Sequence, residues 1–288
     1  MPPARVNSML TSRVTSQLAS LPNGVALACD IVGDLSDPVV MPILGITDNM
    51  TDWPDSLCLP FTGAGYCVVR HESRDMGWST QMEGLQYRME DIAEDVIALM
   101  DHLGIRTASF IGYSFGGAVA QLVALAAPDR VNRLVILQGT NYNPSLPARS
   151  AAVIETMKRA CMQYPSAAEA IAAIKAVRLA CNGRVHAMSD EEVQGAAERS
   201  VARGYRPLGT ARMIQARQLA TPFFERSSAI ACPTLVLQGS DDPIFPRGHG
   251  EDIARRIPES KLVYLQGAGH NHPRSLIPQI VEPILNFL

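Results

Sequence analysis

The sequence predicts an α/β fold: a mostly parallel central sheet flanked by helices, with a helical segment inserted between strands. Three observations predict it. Short apolar, β-branched runs alternate with helical periodicity up to residue 138. The alternation then stops for a long alanine-rich helical stretch. Strand-like runs return at Thr234–Leu237 and Lys261–Leu265. Strands alternating with helices imply parallel pairing with both sheet faces covered.

In chain order, Gln17–Leu21 and Val25–Val32 flank Pro22-Asn23-Gly24, and Asn-Gly is a strong hairpin signal. Val39–Leu44, ending at Gly45, and Tyr66–Arg70 are the next strand candidates. Ile92, Val96, Leu99, Met100 and Leu103 recur at helical spacing between Asp91 and Gly104, with acids on the other faces. Thr107–Ile111 reads as a strand, Ala118–Ala126 as a helix and Leu134–Gln138 as a strand. A final helix is expected over Ile277–Leu288. These elements divide the chain into a core of residues 1–140 and 231–288 and a helical cap of residues 141–230.

Composition narrows the function. The 288 residues are 47% hydrophobic and 18% charged with a formal charge of −3, an ordinary globular balance without the basic excess that nucleic acid requires. Met1–Ser20 has no apolar stretch of a secretory signal, and no segment approaches the roughly 18 apolar residues of a membrane span. The expectation is a cytoplasmic protein with no membrane or nucleic-acid partner. Cys29, Cys58, Cys67, Cys161, Cys181 and Cys232 form no C-x-x-C pair and no cluster with histidine, so buried free thiols are expected rather than a metal site.

Chemistry enters at Gly112-Tyr113-Ser114-Phe115-Gly116, between a strand candidate and a helix candidate. A turn sharp enough to expose a serine at a sheet's end crowds its neighbours, and glycine at 112 and 116 removes the β-carbons that would clash. The helix N-terminus leaves unpaired N–H groups beside the serine, so the Phe115 amide can donate to a developing oxyanion. A serine hydroxyl needs a base. His270, in the loop after Lys261–Leu265, is the candidate, with His272 as competitor and otherwise a solvated loop residue. The orienting carboxylate is expected in the loop after Thr234–Leu237. There Asp242, held extended before Pro243, is favoured over Asp241, which would point elsewhere and cap the loop. Ser114, Asp242 and His270 follow the chain order expected of an α/β hydrolase triad.

These residues resemble the α/β-hydrolase superfamily over nearly the whole chain. Pro42-Ile43-Leu44-Gly45-Ile46 with Thr51-Asp52-Trp53-Pro54 is similar to its first oxyanion loop, and Val69–Thr80 to its Arg-Asp-x-Gly-x-Ser stretch. Both are similar to a subgroup of small-molecule esterases that includes aclacinomycin methylesterase. The resemblance implies that the Ile46 amide is the second oxyanion donor, that no cofactor is needed, and that the reaction is cleavage of a carboxylic ester with an apolar part. Two departures are Leu44, where many relatives have histidine, and Glu72, where many have aspartate. The first removes a polar group that helps hold the loop. A serine at 114 excludes the carboxylate-nucleophile dehalogenases and epoxide hydrolases. Cofactor-free perhydrolases or haloperoxidases and carbon–carbon bond hydrolases share the triad and remain alternatives, and a ligand-binding module would not need all three groups.

In the cap, Met157, Met162, Met188, Met213, Phe223 and Phe224 are candidate pocket residues, although helical spacing favours packing within the cap for any one of them. Its arginines, among them Arg149, Arg178, Arg184, Arg203, Arg212 and Arg217, read as a solvated basic face, with a polar or anionic portion of the substrate as the alternative. Tyr113 and Phe115, beside the nucleophile, are candidates to touch substrate.

Overall fold

The computed structural model describes residues 14–288, so most of the N-terminal stretch considered above lies outside the described residues. Eight strands form one sheet: β1 (Val14–Ser20), β2 (Ala26–Val32), β3 (Val39–Ile43), β4 (Cys67–His71), β5 (Ala108–Tyr113), β6 (Val131–Leu137), β7 (Thr234–Gly239) and β8 (Ser260–Leu265). Their order is β1-β2-β4-β3-β5-β6-β7-β8. The β1–β2 hairpin and the β2–β4 pair are antiparallel; the pairs from β4 to β8 are parallel.

Side chains alternate across the sheet because the strand period is two. Met41, Phe110, Ile136 and Val236 face one apolar cluster, into which α2 (Met89–His102), α3 (Phe115–Ala126) and α8 (Gly248–Arg256) pack. Val40, Ile111, Val135 and Leu237 face the other, covered by α1 (Asp55–Gly63) and α9 (Ile277–Phe287). Periodicity at 91–103 locates α2 to within two residues. The sequence reading has no counterpart of α1 and α8: α1 carries Pro60 inside it and α8 starts on Gly-His-Gly, both poor helix signals. Among the described residues no helix is long and apolar enough to cross a membrane.

Between β6 and β7 lie α4 (Ala151–Ala160), α5 (Ala167–Ala180), α6 (Asp190–Ala202) and α7 (Pro207–Leu219). Ser150, Ser166 and Ser189 cap the first three, each accepting from a backbone amide three residues on. Instead of a solvated basic face, four arginines of this segment reach acids of the sheet's loops. Arg203 pairs with Glu72 at 2.9 Å, Arg212 Nε with Asp75 at 2.8 Å and Arg184 with Asp241 at 2.7 Å, and Arg178 pairs with Asp52. Glu72 and Asp75 have fully buried side chains. A buried carboxylate needs a counter-ion, and the distant helices supply it.

Candidate active site

The turn from β5 into α3 sets the site. Ser114 has φ 56° and ψ −122°, a left-handed conformation rare outside glycine. A β-carbon on Gly116 would lie 2.0 Å from the Ile43 carbonyl oxygen, and one on Gly112 would lie 2.5 Å from the Gly116 carbonyl oxygen. Glycine at these two positions lets α3 close against the end of β3 while Ser114 stays at the tip of the turn. Phe115 is the first residue of α3, where amides lack an intrahelical acceptor.

Three side chains from three loops converge. His270 Nε2 lies 2.8 Å from Ser114 Oγ, and His270 Nδ1 lies 2.7 Å from Asp242 Oδ2. Asp242 Oδ1 accepts from the amides of Ile244 (2.8 Å) and Phe245 (3.0 Å), so the carboxylate is fixed by its own loop as well as by the imidazole. The Asp242 side chain is fully buried. Asp241 turns the other way, onto the exposed Arg184, which holds its carboxyl down at about 2. The chain around His270 is anchored by its amide to Cys181 O (2.7 Å) and by Tyr113 Oη donating to its carbonyl (2.6 Å).

His272 is not a solvated loop residue. It packs at a tilt against Tyr113, 4.3 Å between ring centroids, and bonds through Nε2 to Gln138 Oε1 at 2.9 Å. Burial, with His270 and Arg178 nearby, pushes it down to about 3, so it is neutral. A neutral imidazole can pack there without adding a charge to the site.

The loop after β3 closes the other side. A β-carbon on Gly45 would sit 3.4 Å from the Ser114 β-carbon, which brings Gly45 and Ile46 against the serine. Asp48 Oδ2 accepts from the Gly45 amide at 3.1 Å and so holds this loop. Burial, then repulsion from Asp52, raises the Asp48 carboxyl to about 6. The sequence reading passed over Asp48, although an acid in a short loop after a strand-ending glycine is a signal worth testing. Glu72 accepts from the Met50 and Trp78 amides besides pairing with Arg203.

These groups border a cavity of about 50 Å³ that opens to solvent. Ile46, Ser114, Phe115 and His270 line it together with Tyr113, Asp48, Arg149 and Arg178. Met157, Ile174 and Val177 of the helical segment and Ile244 and Phe245 of the Asp242 loop form apolar walls. Of the six Met and Phe candidates, Met157 borders this cavity. Met213 and Phe223 are buried in the core instead, Met162 is exposed, and Met188 borders a neighbouring cavity behind Arg178. The six cysteines are free, and four of them are buried. Among the described residues no three His, Cys, Asp or Glu side chains are grouped as a metal site.

Residues 38–272 match the alpha/beta hydrolase fold family, and the chain belongs to it. Rhodomycin D methylesterase of Streptomyces peucetius is 26% identical over 275 residues, covering 86% of this chain and 90% of the relative. A 3-oxoadipate enol-lactonase of Acinetobacter baylyi is 27% identical over 253 residues, covering 85% and 86%. Among solved structures, a hydrolase from Pseudomonas aeruginosa superposes with a TM-score of 0.75 at 26% identity, covering 94% of this chain and 97% of that one.

Proposed function

We propose that the protein is a serine esterase that cleaves a carboxylic ester through an acyl-enzyme. The observation that carries this reading is the unbroken chain of hydrogen bonds from Ser114 Oγ through His270 to Asp242, opening on an apolar-walled cavity. His270 takes the Ser114 proton as the oxygen attacks the ester carbonyl, and Asp242 stabilises the resulting imidazolium. The amides of Phe115 and Ile46 receive the oxyanion. The imidazolium then gives its proton to the departing alcohol. Water repeats the sequence on the acyl-enzyme and frees the acid, with no cofactor. The methylesterase relative acts on an ester, which supports this chemistry.

Residues 141–230 serve as the cap of the cavity in this reading. They contribute Met157, Ile174 and Val177 to its wall, and Cys181 O to the anchoring of the histidine loop. The substrate is therefore a small ester with an apolar part.

The test is Ser114→Ala. The variant should fold, lose labelling by a fluorophosphonate and hydrolyse p-nitrophenyl esters at least ~10⁴-fold more slowly. A variant retaining a substantial fraction of wild-type turnover would overturn the assignment. Peracid formation from acetate and peroxide exceeding ester hydrolysis would point to perhydrolysis instead.

A further inference from the structure

The arginines of the helical segment divide into two groups. Arg178, Arg184, Arg203 and Arg212 each sit on a carboxylate. Arg149 borders the Ser114 cavity and forms no ion pair among the described residues. Its guanidinium contacts the Met157 sulfur at 3.6 Å and lies 5.3 Å from the Phe245 ring centroid. Phe245 in turn stands edge-on to the His270 ring at 5.6 Å. One aromatic ring thus separates a guanidinium without a counter-ion from the imidazole of the relay. A second arginine outside the ion pairs, Arg217, lies over Tyr142, whose ring also borders the cavity.

The position of Arg149 is fixed by the backbone rather than by a salt bridge. The amide of the adjacent Ser150 donates to the Pro243 carbonyl at 3.0 Å, tying this segment to the loop that carries Asp242. His249 bonds to the Pro147 carbonyl at 2.9 Å and to Thr140 Oγ1 at 2.8 Å, bracing the same stretch. The following helix α4 presents its N-terminus beside Arg149 and adds a favourable field for negative charge. Burial disfavours the charge on Arg149, and Arg217 adds repulsion. A guanidinium retained in such a place, with apolar neighbours and the Asp242 carboxylate acting only beyond ion-pair distance, matches an anion that arrives with the substrate.

We infer that the substrate is an ester that also carries an ionised carboxylate, and that Arg149 binds this second carboxylate while Ser114 attacks the ester. The inference rests on the esterase reading for the attack by Ser114 and on the guanidinium outside any ion pair for the bound carboxylate. A planar guanidinium takes a carboxylate through two parallel N–H donors, which would orient the ester along the apolar wall. Whether the carboxylate belongs to the acyl chain or to the alcohol, the guanidinium recognises the same group.

Binding and turnover test it separately. In the Ser114→Ala protein, monomethyl glutarate (charge on the acyl side) and butyryloxyacetate (charge on the alcohol side) are each titrated against their neutral methyl esters. At least one charged ester should bind about tenfold more tightly than its neutral counterpart, and which of the two does so identifies the side. In the enzyme with Ser114 intact, the charged-to-neutral ratio of kcat/KM should likewise be about ten and fall to about one in Arg149→Met, mainly through KM. Arg149→Lys should keep part of the ratio, which a packing defect alone would not do. Equal binding of charged and neutral esters, or a ratio unaltered by Arg149→Met, overturns the inference. Charge-selective binding without turnover of any ester would instead overturn the esterase reading and leave the anion site standing.

Discussion

Helices α3 and α5 are both rich in alanine and branched aliphatics, yet they are held in different ways. Ten of the twelve residues of α3 are buried, because it lies between the sheet and its neighbours. In α5, three of fourteen are buried, and its C-terminal half contributes Arg178 to a pair with Asp52. The contrast extends to the regions they belong to. The sheet and its flanking helices cohere through two large apolar clusters. The helical insertion joins them through Met213 and Ala216 of α7 and Phe223, which enter the first of those clusters, through a small cluster around Val153, Met157, Ile244 and Phe245, and through arginines on buried acids. Apolar packing tolerates no extra atom, whereas the ion pairs concentrate the attachment in a few side chains whose removal leaves a charge stranded.

The largest effect should come from the packed region. Gly116→Ala places a methyl group against the Ile43 carbonyl, which is backbone and cannot swing aside. It should cost about 4 kcal/mol or more, or prevent accumulation of folded protein, as read by urea denaturation. A variant with wild-type stability would show that α3 can withdraw from β3.

Breaking the insertion's attachment comes next. Arg203→Met strands the fully buried Glu72 carboxylate and should cost about 3 kcal/mol, with faster proteolysis within residues 141–230. Adding Glu72→Gln should recover part of the loss. Equal loss in the single and double variants would mean that packing by Arg203, which also lies over Trp78, dominates.

A smaller, pH-dependent effect belongs to Asp48, where the two regions meet beside Arg178. Its folded carboxyl is raised to about 6, so the stability that goes with the protonated form is present in full below pH 3.8 and lost as pH rises through about 6. Asp48→Asn does not titrate. Its melting temperature should exceed that of the wild type above pH 6 by a few degrees, on the order of 2–4 °C, with the gap narrowing towards pH 4. A gap independent of pH in differential scanning fluorimetry would remove the carboxyl as its cause. The smallest effect is expected at Arg184→Ala: the arginine is exposed, although the Asp241 side chain it covers is largely buried, and the loss should stay within about 1 kcal/mol as read from the urea midpoint.

The order of elements and the serine turn were legible because both are written locally. Strand alternation, the glycine that closes α2 and the glycines around Ser114 need only a few neighbouring residues to act. The Asp241 and Asp242 choice was also local, since Pro243 constrains its predecessor. His272 was misread because nothing near it in sequence announces Tyr113 and Gln138, which close over it from β5 and the end of β6. Met157 could not be told from Met162 by spacing, as both lie near the end of α4 and differ in which side meets the Asp242 loop.

By itself, then, the sequence determined a doubly covered parallel sheet, a serine at the tip of a strained turn, and an acid and a histidine on later loops in the order of the family. Those features depend on backbone geometry and on hydrophobic period, which travel with the local chain. Tertiary structure alone decided which arginines found a carboxylate, that Asp48 accepts from the Gly45 amide, and that Arg149 borders the cavity with no ion pair among the described residues. Charge pairing is a property of which distant loops meet, and a buried charge takes its meaning from the neighbour that the fold supplies or withholds.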